Sequence, residues 1–333
     1  MVEKDEKKSA PYLLFTGMCM GAADIVPGVS GGTMAFLLGI YSQLLDAVKS
    51  VDMEFATRLL QFQFKSALQK VPWAFILPIG IGIVLSAVSL SKLLSYCLEY
   101  HNEQLMSFFF GLIVASIVAL AARHTWSAGE FVALAVGTLF AYWLVGLVPA
   151  TVPHTPLILF GCGVLAISAM ILPGISGAFI LLILGQYEHC VATLDNMIDH
   201  VRAAEWSMLM NEILSTVAPI GLGCVIGLML FSRVLSWLLK HFHGATVATL
   251  IGFMVGSLRR IWPYKEILES ITDRHGDLKP IRWENTFPAD FNSDVAIAIA
   301  LCVAGFVAVS VLDHVQDRSN PIVGLVWPKS NPT

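Results

Sequence analysis

Twice the chain interrupts an otherwise apolar run with the same punctuation, Pro27-Gly28-Val29-Ser30-Gly31 and Pro173-Gly174-Ile175-Ser176-Gly177. Proline removes a backbone donor and crowds the preceding turn, while glycine admits positive φ. A helix reaching either segment must therefore stop, turn and restart. In lipid, a freed backbone group without a partner costs several kcal/mol, so such a break persists only inside protein or beside a watery cavity. Broken helices at corresponding positions of two halves point to a transporter binding site. The competing explanation is a kink used only for packing.

The surrounding sequence is that of a polytopic membrane protein. Of its 333 residues 56% are hydrophobic and only 13% charged, with a mean hydropathy of +0.73; soluble domains carry about 25% charged residues. A net charge of -4 with no basic groove argues against nucleic acid as a partner. Residues 1–11 read as a cytoplasmic tail, and the apolar run after them lacks a small-residue cleavage site, so it should be retained. The six cysteines are scattered without a C-x-x-C pair and read as small buried hydrophobes. No Walker A, zinc-protease helix or G-x-S-x-G elbow is found, and neither a metal nor a cofactor is expected. His241-Phe242-His243 is too closely spaced for helical metal ligation and reads as a loop.

The chain divides into two similar halves. Repeat 1 (12–150) has an interrupted segment at 12–45 and apolar segments at 74–97, 105–122 and 130–149. Repeat 2 (157–315) has an interrupted segment at 157–187 and apolar segments at 216–239, 245–262 and 294–312, and a tail follows at 316–333. Several segments approach the ~20 residues needed to cross a bilayer; the arms of the interrupted ones are shorter. Gly39 and Tyr41 recur as Gly185 and Tyr187, Pro78-Ile79-Gly80-Ile81-Gly82 recurs as Pro219-Ile220-Gly221-Leu222-Gly223, and Lys92 recurs as Arg233.

Charge placement favours a re-entrant hairpin for each interrupted segment. With the N-terminus inside, Lys49, Arg58, Lys65, Lys70, Arg123 and Lys240 then fall on the cytoplasmic side, where lysine and arginine concentrate. Each half would hold a broken hairpin plus about three transmembrane helices, and the halves would be inverted. The expected fold is thus an all-α membrane protein of two inverted repeats. The 259–293 segment, with Trp262, Trp283 and Phe287, reads as a polar outer loop. Residues 188–214 read as an amphipathic piece on the outer surface, and the chain after Asp313 as disordered.

Candidate site residues follow from this frame. Helices restarting after the breaks would aim backbone N–H groups into the membrane interior, which suits an anion. This nominates Gly28, Ser30, Gly31, Gly32 and Thr33 in one half and Gly174, Ser176 and Gly177 in the other, although the hydroxyls can instead cap their own backbone. The duplicated cations Lys92 and Arg233 either meet the anion or snorkel to headgroups. Asp24, matched by Met170 in the second half, is the candidate for a coupling proton or sodium ion. Glu188, His189, Arg259 and Arg260 are candidate gate or headgroup contacts.

The blocks GAADIVPGVSGGTMAFLLGIY (Gly21 to Tyr41) and ILPGISGAFILLILGQYEH (Ile171 to His189) closely resemble the PopT family of bacterial membrane proteins, and length and duplication fit along the whole chain. The resemblance implies a flippase of the cytoplasmic (inner) membrane. It would return the lipid carrier undecaprenyl phosphate from the outer leaflet to the inner one for peptidoglycan precursor recycling and other cell-envelope synthesis. Membrane lipids, and H+ or Na+, would be its other partners. Two alternatives stand beside it: an ion-coupled carrier of a small soluble anion, and a lipid phosphatase or transferase.

Overall fold

The computed structural model describes residues 8–26, 28–150, 152–272, 278–288 and 290–317. Pro27, the first seven residues and the tail beyond Asp317 lie outside the described residues. The first half contains α1 (Ala10–Ile25), α2 (Gly31–Leu37), α3 (Tyr41–Lys49), α4 (Met53–Leu60), α5 (Phe64–Leu68), α6 (Trp73–Tyr100), α7 (Asn102–Arg123) and α8 (Ala128–Leu144). The second contains α9 (Pro156–Ile171), α10 (Gly177–Ile183), α11 (Tyr187–Arg202), α12 (Trp206–Glu212), α13 (Ala218–His241), α14 (His243–Ile261), strands β1 (Lys265–Thr272) and β2 (Leu278–Asn285), and α15 (Ser293–Asp317).

This is a mostly helical, multi-pass membrane protein. Four helical runs are long and apolar enough to span: α6, α7, the continuous run Trp206–His241, and Ser293–His314 of α15. The pair α10 and α11, bent by 105°, makes a fifth if it counts as one span. The outward row Leu77, Ile81, Val84, Leu85 and Val88 on α6 is exposed, as a lipid-facing helix requires. Glycines let the helices close in on one another. A Cβ on Gly17 or Gly82 would overlap the Ile79 or Leu14 carbonyl, pairing α1 with α6; Gly163 and Gly223 stand likewise against Ile220 and Phe160, pairing α9 with α13.

The remaining pairs cross between the halves. Gly111 and Gly305 lie on the carbonyls of Cys302 and Phe108, joining α7 to α15; Gly252 and Gly137 lie on those of Leu134 and Thr249, joining α14 to α8. Equivalent positions thus make equivalent contacts. The links His101 and Phe242 adopt nearly the same backbone, φ -137 and ψ 42 against φ -131 and ψ 47. Arg123 also reaches Asp313 at 2.8 Å, fastening the ends of α7 and α15.

Both broken segments fold back on themselves. The Tyr12 hydroxyl, near the start of α1, donates to the Leu38 carbonyl after α2 at 2.7 Å. Ahead of α9, the Ala150 N–H donates to the carbonyl of Ile183, the last residue of α10, at 2.8 Å, and His154 Nδ1 lies 2.7 Å from Gln186 Oε1. Gly28 and Gly174, at φ +93 and +85, and Gly39 and Gly185, at φ +62 and +65, hold left-handed backbone that only glycine adopts without strain.

Several expectations need correction. The fold is not all-α: β1 and β2 form an antiparallel hairpin within the supposed polar loop. Irregularities on either side of Glu269 interrupt the pairing before it resumes at Ser270, and this breaks the alternation that announces a strand. The surface piece expected over 188–214 is only α11, because from Trp206 the chain is already helical into α13. A π-helical turn at Ile213–Val217 precedes Pro219, and its wider loop lets the helix continue past the proline. The chain after Asp313 is not disordered at once, since α15 runs to Asp317.

Overpacking these glycine contacts tests the pairing. Gly111→Val and Gly252→Val should each lose about 1–3 kcal/mol, read as thermal unfolding in detergent. Gly80→Ala, where nothing stands within 4 Å of the added Cβ, should stay close to wild type. Equal midpoints for all three variants would mean that the cross-half contacts do not hold the fold.

Candidate functional site

At the first break the chain supplies its own acceptors. Ser30, in extended backbone, caps α2 by accepting from the Gly32 N–H at 3.2 Å. Asp24, one turn before the break, accepts from the Gly31 N–H through Oδ1 at 2.7 Å. Two of the donors that suit an anion are therefore already engaged, one by a carboxylate. Ser30 and Thr33 are buried, whereas Asp24 stays exposed.

The second break lacks this arrangement. Met170 stands where the first half has Asp24, and Ser176, half-buried, makes no side-chain cap. Its backbone is instead held from the first half: the Gly174 N–H donates to Thr33 Oγ1 at 2.8 Å in a buried contact. The Tyr41 hydroxyl donates to the Ile171 carbonyl at 3.0 Å, and Ser30 Oγ lies 3.5 Å from the Met170 carbonyl. A Cβ on Gly32 would stand 2.9 Å from both the Met170 and Ile171 oxygens. The structure thus brings Ser30, Gly32, Thr33 and Gly174 together, with the tip of the second hairpin seated on the return arm of the first.

Both tips rest on α14, whose Leu250, Ile251, Met254 and Ile261 are fully buried. A Cβ on Gly174 would come within 2.9 Å of the Met254 backbone; one on Gly28 would lie 2.7 Å from Arg260 Cγ. Met254 and Arg260 are six residues apart, or about 9 Å along a helix. The Arg260 guanidinium lies 4.0 Å over Trp283 of β2 and 4.8 Å over Phe179 of α10, so it stands between the first break and the second hairpin. Arg259 takes a separate place, donating to the Tyr142 carbonyl at 3.0 Å and stacking on its ring.

Lys265, in the segment that the sequence presents as a polar outer loop, is a further functional candidate. It donates to the Arg260 carbonyl at 2.6 Å, and burial, with a further push from Arg260, brings its ammonium pKa down to about 7. The available signal was the run Arg259, Arg260 and Lys265 interrupted by Trp262, with Trp283 further along the same segment.

The other candidates lie apart. Lys92 is exposed on α6. Arg233 is exposed and donates to the Met229 carbonyl of its own helix at 2.6 Å. It also adds a small pull on Asp52, whose carboxyl Lys70 chiefly holds below the usual range. Neither cation is among the residues touching the breaks. His189, near Glu188 at the start of α11, stacks on His154 with centroids 4.3 Å apart, and its Nε2 lies 3.1 Å from Thr216 Oγ1.

Residues 20–279 match the undecaprenyl phosphate translocase-like family. A polyprenyl-phosphate transporter of Vibrio cholerae is 34% identical over 309 residues, covering 91% of this chain and 96% of that protein. A polyprenyl-phosphate transporter of Staphylococcus aureus is 31% identical over 263 residues, covering 75% and 85%. No solved structure matches the chain. Family and relatives alike are transporters, which sets the phosphatase or transferase alternative aside.

The depressed Lys265 pKa gives a stability prediction. Between about 7 and its ordinary value near 10.4, the unfolded chain holds more protons than the folded one, so this lysine's destabilising effect is full below about pH 7 and fades as pH rises. Lys265→Met should raise the melting temperature by several degrees at pH 6 and by clearly less at pH 9. A gain independent of pH would place the ammonium in water.

Proposed function

The chain belongs to the undecaprenyl phosphate translocase-like family, and from that membership we propose that it is a polyprenyl-phosphate transporter. Its task is to return undecaprenyl phosphate from the outer to the inner leaflet of the bacterial cytoplasmic membrane, for reuse in cell-envelope synthesis. The cargo is one phosphate on a long apolar tail. The tail can stay in lipid throughout; only the headgroup needs a polar path.

The observation that carries this reading is the meeting of the two breaks, where Thr33 takes the Gly174 N–H and both tips lie on α14. Half-membrane hairpins that meet inside the protein place backbone donors and hydroxyls at a depth where nothing else polar is stable. Their folding back, Tyr12 to Leu38 and Ala150 to Ile183, supports re-entrant hairpins. Together with the charge bias of the loops, it supports two inverted repeats, 12–150 and 157–315. The headgroup passes between the breaks, along Ser30, Thr33, Ser176 and Gly177, as the halves shift against each other. Lys92 and Arg233 then serve as end stations towards the outer and inner faces.

Asp24 is the coupling group in this scheme. Its carboxylate holds the start of α2 through Gly31. A proton or sodium ion arriving there would weaken that hold and free the hairpin to move.

Leaflet exposure of undecaprenyl phosphate in proteoliposomes tests the reading. Purified protein should drive inward movement of the lipid, and Asp24→Asn should cut it at least tenfold and abolish its response to pH or sodium gradients. Undiminished, gradient-responsive movement in Asp24→Asn would remove Asp24 from coupling. No movement under any gradient, with uptake of a water-soluble anion instead, would favour the soluble-anion carrier.

A further inference from the structure

Beside the tip of the first hairpin, the β1–β2 hairpin and the α6–α7 turn border a half-open cavity of about 380 Å³. Arg260, Lys265 and Trp283 form one part of its lining, and Asn102, Glu103 and Met106 another. Two cations therefore face one small space. Neither is in an ion pair among the described residues, although acids are plentiful nearby: Glu269, on the same strand as Lys265, pairs with Arg282 at 3.0 Å instead. Glu103 makes no ion pair with either cation among the described residues.

Charges partly withdrawn from water are costly unless paired; the carboxylate that lines this space, Glu103, pairs with neither cation among the described residues, so folding alone explains the two poorly. Their mutual arrangement looks outward to a ligand. The Arg260 guanidinium carbon lies over the rings of Trp283 and Phe179, and among the described residues none of its N–H donors is taken up by a hydrogen bond, which leaves them for an oxygen-rich partner. Lys265 offers a second charge on the same wall, tethered to the Arg260 carbonyl.

We propose that this cavity is a receiving pocket for a phosphate monoester headgroup, held by Arg260 and Lys265 before it reaches the break at Gly28. The assignment rests on the transport reading above and names where the headgroup first docks. A monoester carries between one and two negative charges near neutral pH and three acceptor oxygens, which suits two cations and a forked donor. The Arg260 stem lies against Gly28, where any side chain would collide with it, so the docked headgroup is next to the hairpin tip. An uncharged prenyl alcohol offers nothing to these donors.

The test is binding of farnesyl monophosphate, farnesol and inorganic phosphate to the full-length protein in detergent, by calorimetry. Arg260→Gln and Lys265→Gln should each weaken farnesyl monophosphate at least tenfold, and Lys265→Arg should stay within about threefold of wild type. Farnesol should be indifferent to all three variants. Melting temperatures report folding, and should Arg260→Gln unfold, the two Lys265 variants decide. Unchanged affinity in both Gln variants, with lipid movement intact, would overturn the pocket and leave the transporter. Inorganic phosphate binding as tightly as the prenyl phosphate, with the same dependence on Arg260 and Lys265, would overturn the lipid-headgroup assignment in favour of free phosphate. A wild-type protein that neither binds farnesyl monophosphate nor moves undecaprenyl phosphate would overturn both.

Discussion

Every backbone donor exposed by a helix break inside a membrane must be met from within the protein, and this fold depends on how that requirement is satisfied. The Gly31 and Gly32 N–H groups turn to Asp24 and Ser30, a few residues away. The Gly174 N–H reaches across to Thr33 in the other half. The second break is therefore completed by a residue of the first hairpin. That single hydrogen bond, with Tyr41 on the Ile171 carbonyl, ties together hairpins separated by more than a hundred residues.

The two halves repeat one another in packing but not in chemistry. Gly17 with Ile79 and Gly163 with Ile220 are the same contact, as are Gly111 with Cys302 and Gly252 with Leu134. At the breaks the likeness stops: Asp24 faces its counterpart Met170 only in sequence, and Thr33 corresponds to Phe179, over which Arg260 stacks. Duplication supplied a scaffold with matched helix pairs, and the polar residues were then distributed unevenly upon it. The carboxylate sits in one hairpin, and the stacked cation lies between that hairpin's tip and the other's return arm.

Much of this was readable in advance because it is written in residues with strong local consequences. Pro-Gly in an apolar run breaks a helix, and Gly39 and Gly185, noted in the sequence only as a recurring pair, both turn out to hold left-handed backbone. Membrane class follows from composition alone. What stayed hidden depends on contacts across the chain. The β-hairpin was masked by the irregular register around Glu269, and Trp206 looked like surface because the sequence does not show the helix continuing from it through the π-turn and past Pro219 into α13. Matching cations drew attention to Lys92 and Arg233, yet periodicity cannot say which way a helix turns its charge. Arg260 gains its place from Gly28, Phe179 and Trp283, residues that only the fold brings near it.

The central claim is that the headgroup crosses where the two breaks meet, which requires that they part. Ser30 Oγ and the Met170 carbonyl stand 3.5 Å apart at this junction. In a background lacking the six native cysteines, Ser30→Cys and Met170→Cys joined by a short reversible cross-linker would fix the junction closed. Measured against the same double-cysteine protein before linking, undecaprenyl phosphate movement in proteoliposomes should then stop, and it should return when the link is reduced. Movement at the wild-type rate through the cross-linked protein would contradict the account, because the lipid headgroup would have to cross elsewhere.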